Sequence, residues 1–169
     1  MKLLLLIILT FGLSCKSYSQ STTTESKQEF EFTGLTFLSS KCNGTCPDIS
    51  MNLYDDKRIE ISRDIYSKKG QVDTTLSGNF KGKLSEKEFT KVVTLLKVIN
   101  WETVTFPKVL CCDAPIVTLM FSYKGTYKRF KSMTPPQTTN GLIKYLTDLG
   151  SKVILTKYDK PIDFEDFDL

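Results

Sequence analysis

The stretch ISMNLYDDKRIEISRDI, Ile49 to Ile65, alternates apolar and polar residues with a period of two on both sides of an acidic turn. Ile49, Met51 and Leu53 alternate with Ser50, Asn52 and Tyr54, and after Asp55-Asp56-Lys57 the apolar positions resume at Ile59, Ile61 and Ile65. Successive side chains of a strand point to opposite faces, so the pattern predicts a β-hairpin with one buried face. Such a face needs a cover.

The flanking segments supply more sheet and two covers. Glu29 to Leu38, with Phe30, Phe32, Leu35 and Phe37, reads as a first strand in which Gly34 shifts the alternation as a bulge would. Val72 to Phe80 reads as a further strand ended by Lys81-Gly82-Lys83. Ile116 to Tyr123 and Thr126 to Met133 are joined by Lys124-Gly125 and predict a second hairpin. One helix starts at Ser85 with Glu88 three residues on, a capping box, and carries Phe89, Val92, Val93 and Leu96 towards Ile99. The other opens after Pro135-Pro136, has an apolar stripe of Leu142, Tyr145, Leu146 and Leu149, and is expected to stop at Gly150. Val153 to Leu155 reads as a short last strand. The predicted fold is α+β: an antiparallel sheet of two hairpins plus flanking strands, with both helices packed on one face.

Ahead of this domain, MKLLLLIILTFGLSCKSYSQ has one early lysine, Lys2, and an apolar run from Leu3 to Leu13. A run of this length falls short of the ~20 residues a spanning helix needs and matches the core of an export signal. Two maturation routes share that core. With Ser17 and Ser19 at the −3 and −1 positions, residues 1–19 are removed and the mature chain starts at Gln20. With Gly12-Leu13-Ser14-Cys15 as a lipobox, residues 1–14 are removed and Cys15 becomes a lipidated anchor, the one mode of membrane attachment expected. Residues 20–28 then form a polar tether, 29–157 the single domain and 158–169 an acidic tail. The expected location is the periplasm, the outer membrane or the medium. The tail reads as solvated, with a calcium or partner contact as the alternative.

About 140 residues after signal and tether suffice for one core. The formal charge is +4, or +2 without Lys2 and Lys16, and no basic cluster is interleaved with exposed aromatics, so nucleic acid is not an expected partner. The chain has no histidine, which excludes the Ser-His-Asp and Cys-His nucleophile arrangements in their usual form. No glycine-rich phosphate loop, H-E-x-x-H or G-x-S-x-G is present. The acidic pair Asp55 and Asp56 sits in a turn, where aspartate is favoured for its local backbone bonds. Asp113, before Pro115, is expected to cap a turn into the next strand. No catalytic residue, cofactor or metal site is assigned.

The cysteines carry whatever chemistry there is. Cys42, Cys46, Cys111 and Cys112 make an even count in an exported chain, and an oxidising compartment favours a disulfide framework. Four cysteines allow three pairings. A Cys42 to Cys46 bridge closes a tight loop through Asn43-Gly44-Thr45; a vicinal Cys111 to Cys112 bridge needs a strained peptide and ranks below cross-links between the two loops. In the chain-entropy model a bridge across ~65 residues contributes ~4 kcal/mol and the short loop ~2 kcal/mol. Asn43-Gly44-Thr45 also matches a glycan acceptor. The run Cys42 to Pro47 is similar to the C-x-x-x-C-P motif of Sco-type copper chaperones, which implies copper or thiol–disulfide chemistry at Cys42 and Cys46 as an alternative. Those proteins complete their site with a histidine and place a helix after the motif, whereas here Pro47 leads into the alternating run from Ile49. A four-thiolate zinc site is disfavoured because adjacent Cys111 and Cys112 cannot easily reach one tetrahedral ion.

Cys42-x-Gly44-x-Cys46-Pro47-x-Ile49, the Leu53-Tyr54-Asp55-Asp56 hairpin, Gly78-x-Phe80 ahead of Leu84-Ser85-x-x-Glu88, and Asp113-x-Pro115 before a strand together resemble a bacterial family of domains of unknown function, number 6438. The resemblance covers residues 30 to 150. Two departures stand out: Lys57-Arg58 occupies the place of a turn glycine, and Cys111-Cys112 precedes the aspartate. The resemblance implies an exported protein or lipoprotein of a Gram-negative envelope and assigns no activity. The expectation is an exported, non-enzymatic binding or structural module whose partner is an envelope protein or ligand. Its candidate binding loop comprises Asn43, Gly44, Thr45, Pro47 and Asp113.

Overall fold

The computed structural model of the protein describes residues 31–108 and 113–164. The expected signal, the tether, Cys15, Cys111, Cys112 and the last five residues lie outside them. In chain order the elements are β1 (Gly34–Ser39), β2 (Asp48–Tyr54), β3 (Arg58–Asp64), β4 (Tyr66–Lys68), β5 (Gln71–Val72), β6 (Gly78–Lys83), α1 (Glu86–Lys97), β7 (Val117–Tyr123), β8 (Thr126–Ser132), a 3-10 turn at Gln137–Thr139, α2 (Asn140–Lys152) and β9 (Thr156–Lys157).

The Ile49 to Ile65 stretch forms the β2–β3 hairpin, with Met51 opposite Ile61 and Leu53 opposite Ile59. Its turn closes with the Lys57 N–H donating to the Tyr54 carbonyl at 3.1 Å, and Lys57 takes a φ of 70°. This is a three-residue hairpin loop whose last position is left-handed, the place where glycine is usual. The β7–β8 hairpin turns at Lys124-Gly125, both with positive φ.

Seven strands form one antiparallel sheet in the order β8-β7-β1-β2-β3-β6-β9, and β4 pairs with β5 in a small second sheet. The fold is α+β. One face of the large sheet carries Leu35, Phe37, Met51, Ile61 and Leu119, and Val92 and Leu96 of α1 and Leu142 and Leu146 of α2 join them in one buried cluster. Each such side chain contributes about 2 kcal/mol by leaving water. At the start of α1, Ser85 Oγ accepts from the Glu88 N–H and the Glu88 carboxylate accepts from the Ser85 N–H, so the capping box is complete. At its other end the Trp101 indole donates to the Leu96 carbonyl at 2.8 Å and packs on Phe121 and Phe130, tying the helix to the second hairpin.

Four local expectations are corrected. The first strand starts at Gly34 and pairs without a bulge, Gly34 facing Tyr54; residues 31–33 precede it, and Phe32 instead packs edge-on against Phe89. The predicted strand over Val72 to Phe80 is broken, because the Asp73 carboxylate accepts from the Thr75 and Leu76 N–H groups and turns the chain; pairing resumes at Gly78 and includes Lys81, Gly82 and Lys83. Gly150 does not stop α2, which continues to Lys152. A Cβ at Gly150 would lie 2.8 Å from Ile49 Cγ2, so glycine is there to let the helix approach β2. The last strand is Thr156–Lys157, with Val153 and Leu155 turned to the core.

Arg63 occupies the next core-facing position of β3 after Ile61, and is 6% exposed. Its guanidinium donates to the carbonyls of Leu76, Gly150 and Val153 and lies 4.4 Å from the Phe80 ring centroid. A buried cation facing the C-terminal carbonyls of a helix is favourable in hydrogen bonding and in its dipole field. It fixes the end of α2 to the sheet.

Candidate functional site

Register brings three loops to one end of the sheet. Ser39 faces Ile49 on β2 and Val117 on β7, while Asp48 faces Asp64 on β3. The connections 40–47, 65–77 and 113–116 therefore meet where β1 ends and where β2 and β7 begin. The Ser40 N–H donates to the Ile116 carbonyl and the Ile116 N–H to Ser40 Oγ, at 3.0 and 2.9 Å, which joins the first and third loops.

Cys42 and Cys46 are joined by a disulfide, with an S–S distance of 2.00 Å and a Cα–Cα distance of 5.2 Å. Inside the ring the Cys46 N–H points at Cys42 Sγ from 3.0 Å, Thr45 Oγ1 lies 3.3 Å from the same sulfur, and the Gly44 N–H donates to the Cys42 carbonyl. Two ties hold it from outside. Asp113 Oδ1 accepts from the Asn43 N–H at 2.6 Å, and the Gly44 carbonyl accepts from the Gly70 N–H at 2.9 Å. Asp113 thus braces the opposite cysteine loop. Gly44 has a φ of 75°, and a Cβ there would sit 2.7 Å from the Gly70 nitrogen, so both its conformation and its neighbour require glycine.

The β4–β5 hairpin delivers Gly70, and the Lys69-Gly70 dipeptide between two very short strands is its signal in the sequence. A recess of about 570 Å³ opens between it and the disulfide ring, lined by Lys41, Asn43, Asp64, Tyr66, Lys69 and Val72 among others. Asn43 and Thr45 are exposed, whereas Pro47 is half-buried where the loop enters β2. After Pro47 the chain enters a strand and no helix follows the C-x-x-x-C-P run. Across from Asp64 at the start of β2, Asp48 has its carboxyl pushed above the ordinary 3.8, first by burial and then by the facing Asp64 carboxylate, with the Lys41 N–H opposing.

Of the sequence-derived candidates, Cys42, Asn43, Gly44, Thr45, Cys46, Pro47 and Asp113 thus converge on one corner. Cys15, Cys111 and Cys112 lie outside the described residues. Among the described residues no helix is long and apolar enough to cross a membrane. No curated protein and no solved structure matches the chain. A family model, a domain of unknown function (DUF6438), matches residues 33–154, from just ahead of β1 to just past α2 and therefore across the whole disulfide corner. The chain belongs to the DUF6438 family.

Proposed function

We propose that this is an exported, non-enzymatic domain that acts by binding, and that the Cys42–Cys46 corner is its recognition surface for an envelope protein or ligand. The observation that carries the reading is the bracing of an exposed loop. The ring is closed by a disulfide and held by Asp113 on one side and Gly70 on the other, while Asn43 and Thr45 remain open to solvent. A loop fixed in advance loses little conformational freedom on association, and that saving goes into affinity. Lys41 and Lys69 border the recess with Asp64, a mixed polar rim around Tyr66 and Val72 suited to a protein surface or a polar ligand. Export and any lipid attachment through Cys15 rest on the apolar run from Leu3 to Leu13.

The test is a photo-crosslinking residue at Asn43 in cells that make the protein, compared with one at Lys87. Lys87 lies at the far end of the sheet, where the Leu84 N–H bonds to the Lys57 carbonyl at the β2–β3 turn. A discrete adduct from Asn43, absent from Lys87 and lost when Cys42 and Cys46 are both alanine, is expected. Equal labelling from both positions, or saturable turnover of a thiol substrate by the purified domain, contradicts the reading. The bridge's potential separates the thiol–disulfide alternative: a structural bridge lies below about −300 mV, a catalytic one well above.

A further inference from the structure

Both helices cover one face of the sheet, and the opposite face carries a cleft at the end away from the disulfide. Strand register builds it. Gly34 faces Tyr54 on β2, Ser122 faces Tyr127 on β8, and the pairing of Leu35 with Phe121 sets Gly34 beside Ser122. A row Tyr127-Ser122-Gly34-Tyr54 therefore crosses β8, β7, β1 and β2, with two small residues between two tyrosines whose strands lie three spacings, about 14 Å, apart. Two residues further along β1, on the same face, Thr36 stands opposite Asn52. The cleft has a volume of about 330 Å³ and is bordered by Thr33, Thr36, Asn52, Tyr54, Tyr127 and Asp163, a size that suits a small ligand.

Its walls are fixed in advance. Thr36 Oγ1 donates to Asn52 Oδ1 at 2.7 Å, the Asn52 amide donates to the Asp163 carbonyl at 3.4 Å, and Thr36 and Asn52 are both buried. The Tyr54 hydroxyl donates to Glu60 at 3.0 Å, and the Arg58 guanidinium lies 4.5 Å from the Tyr54 ring centroid. Gly34 leaves the floor open. Its φ is not left-handed, β1 pairs there without a bulge, and an added Cβ would meet only the Leu53 carbonyl oxygen, at 3.4 Å, so neither backbone conformation nor close packing requires glycine. Where those reasons are missing, glycine in a strand marks the close approach of a ligand.

We propose that this cleft binds a neutral saccharide, with a sugar ring lying over Gly34 between Tyr54 and Tyr127. Three features select that class. None of the bordering side chains is a cation and Asp163 is an anion, while the nearby Arg58 is paired with Asp56 at 2.6 Å, so a phosphate or carboxylate ligand would meet repulsion. The hydroxyls of Thr33, Thr36 and Tyr127 can each donate and accept and the Asp163 carboxylate accepts, a set matched by ligand hydroxyls, which do both on one atom. Tyrosine presents an apolar ring beside a polar tip, and a sugar ring presents an apolar C–H face beside a hydroxyl rim.

Nuclear magnetic resonance of the isotope-labelled full chain tests the proposal, with maltotriose, cellotriose and triacetylchitotriose each added to about 10 mM, enough to fill a millimolar site. At least one is expected to shift the Gly34, Thr36 and Asn52 amides saturably while the Gly44 amide at the disulfide corner stays still. Gly34→Leu, which fills the floor, is expected to weaken that binding about tenfold or more. Asp163→Ala removes an exposed carboxylate outside the sheet, keeps the fold and is expected to weaken binding as well. No shift with any of the three saccharides overturns the proposal, as does binding of equal strength in the parent chain and in both variants. If Gly34→Leu fails to fold, Asp163→Ala and Tyr127→Ala decide by the same comparison.

Discussion

Gly150 and Asp48 show how single residues set the geometry around the candidate site. Glycine inside a helix costs about 1 kcal/mol relative to alanine, so Gly150→Ala would ordinarily stabilise α2. Here the added Cβ would lie 2.8 Å from Ile49 Cγ2 and 3.3 Å from its Cδ1, with Ile49 wholly buried. Overpacking of this kind costs 1–3 kcal/mol, and we expect Gly150→Ala to lower stability by about 1 kcal/mol in urea denaturation. Asp48 makes the opposite kind of prediction. Its carboxyl is held above 3.8 in the folded state, so ionisation disfavours folding; the penalty is absent below 3.8 and complete above the raised value. Asp48→Asn is therefore expected to stabilise the protein at neutral pH, by roughly 0.5 kcal/mol for opposed like charges, with the gain fading as pH falls through the raised value and gone below 3.8. Stability measured across pH 3 to 7, a range of about 4 units, checks the sign. Neither residue announces these roles in the sequence. Gly150 looked like a helix stop because it follows the last apolar stripe position, and its contact with Ile49 spans a hundred residues of chain.

At the scale of elements, what was legible were the parts specified locally. Both hairpins follow from period-two alternation around short turns, and α1 from the Ser85 and Glu88 pair. Ser85→Ala is expected to cost about 1 kcal/mol by thermal or urea denaturation, because it removes the cap from the Glu88 N–H. Lys57 marks a place where the family resemblance was informative: a turn glycine was expected there, and the backbone does adopt the left-handed φ that glycine favours. Two segments depart from their apolar pattern, each for its own local reason. Apolar alternation over Val72, Leu76 and Phe80 suggested one strand, but the Asp73 side chain captures two backbone N–H groups and bends the chain first. The last strand was displaced because Val153 and Leu155 are apolar for packing, while Thr156 and Lys157 pair at the edge of β6.

For the whole molecule, the strand order β8-β7-β1-β2-β3-β6-β9 is the part that sequence pattern does not encode. Placing β1 between β2 and β7 joins segments about eighty residues apart, and that placement delivers Asp113 to Asn43. The candidate loop was legible as a cysteine ring; its bracing was not, since each brace comes from a different part of the chain. Replacing both Cys42 and Cys46 with alanine is expected to lower stability by about 2 kcal/mol, the chain-entropy value for a short loop, while the far-end capping box and core remain. Denaturation with and without reductant should give the same difference in the unmodified protein. The claim beneath the proposed function is that the chain is exported and that this bridge is closed in its own compartment. Mass spectrometry of the intact protein and its peptides from the native envelope, with and without thiol alkylation, tests it most directly. A mature terminus at Gln20 or a lipidated Cys15, with Cys42 and Cys46 linked and resistant to alkylation, is the predicted result. An uncleaved leader, or Cys42 and Cys46 free and alkylated, would contradict it.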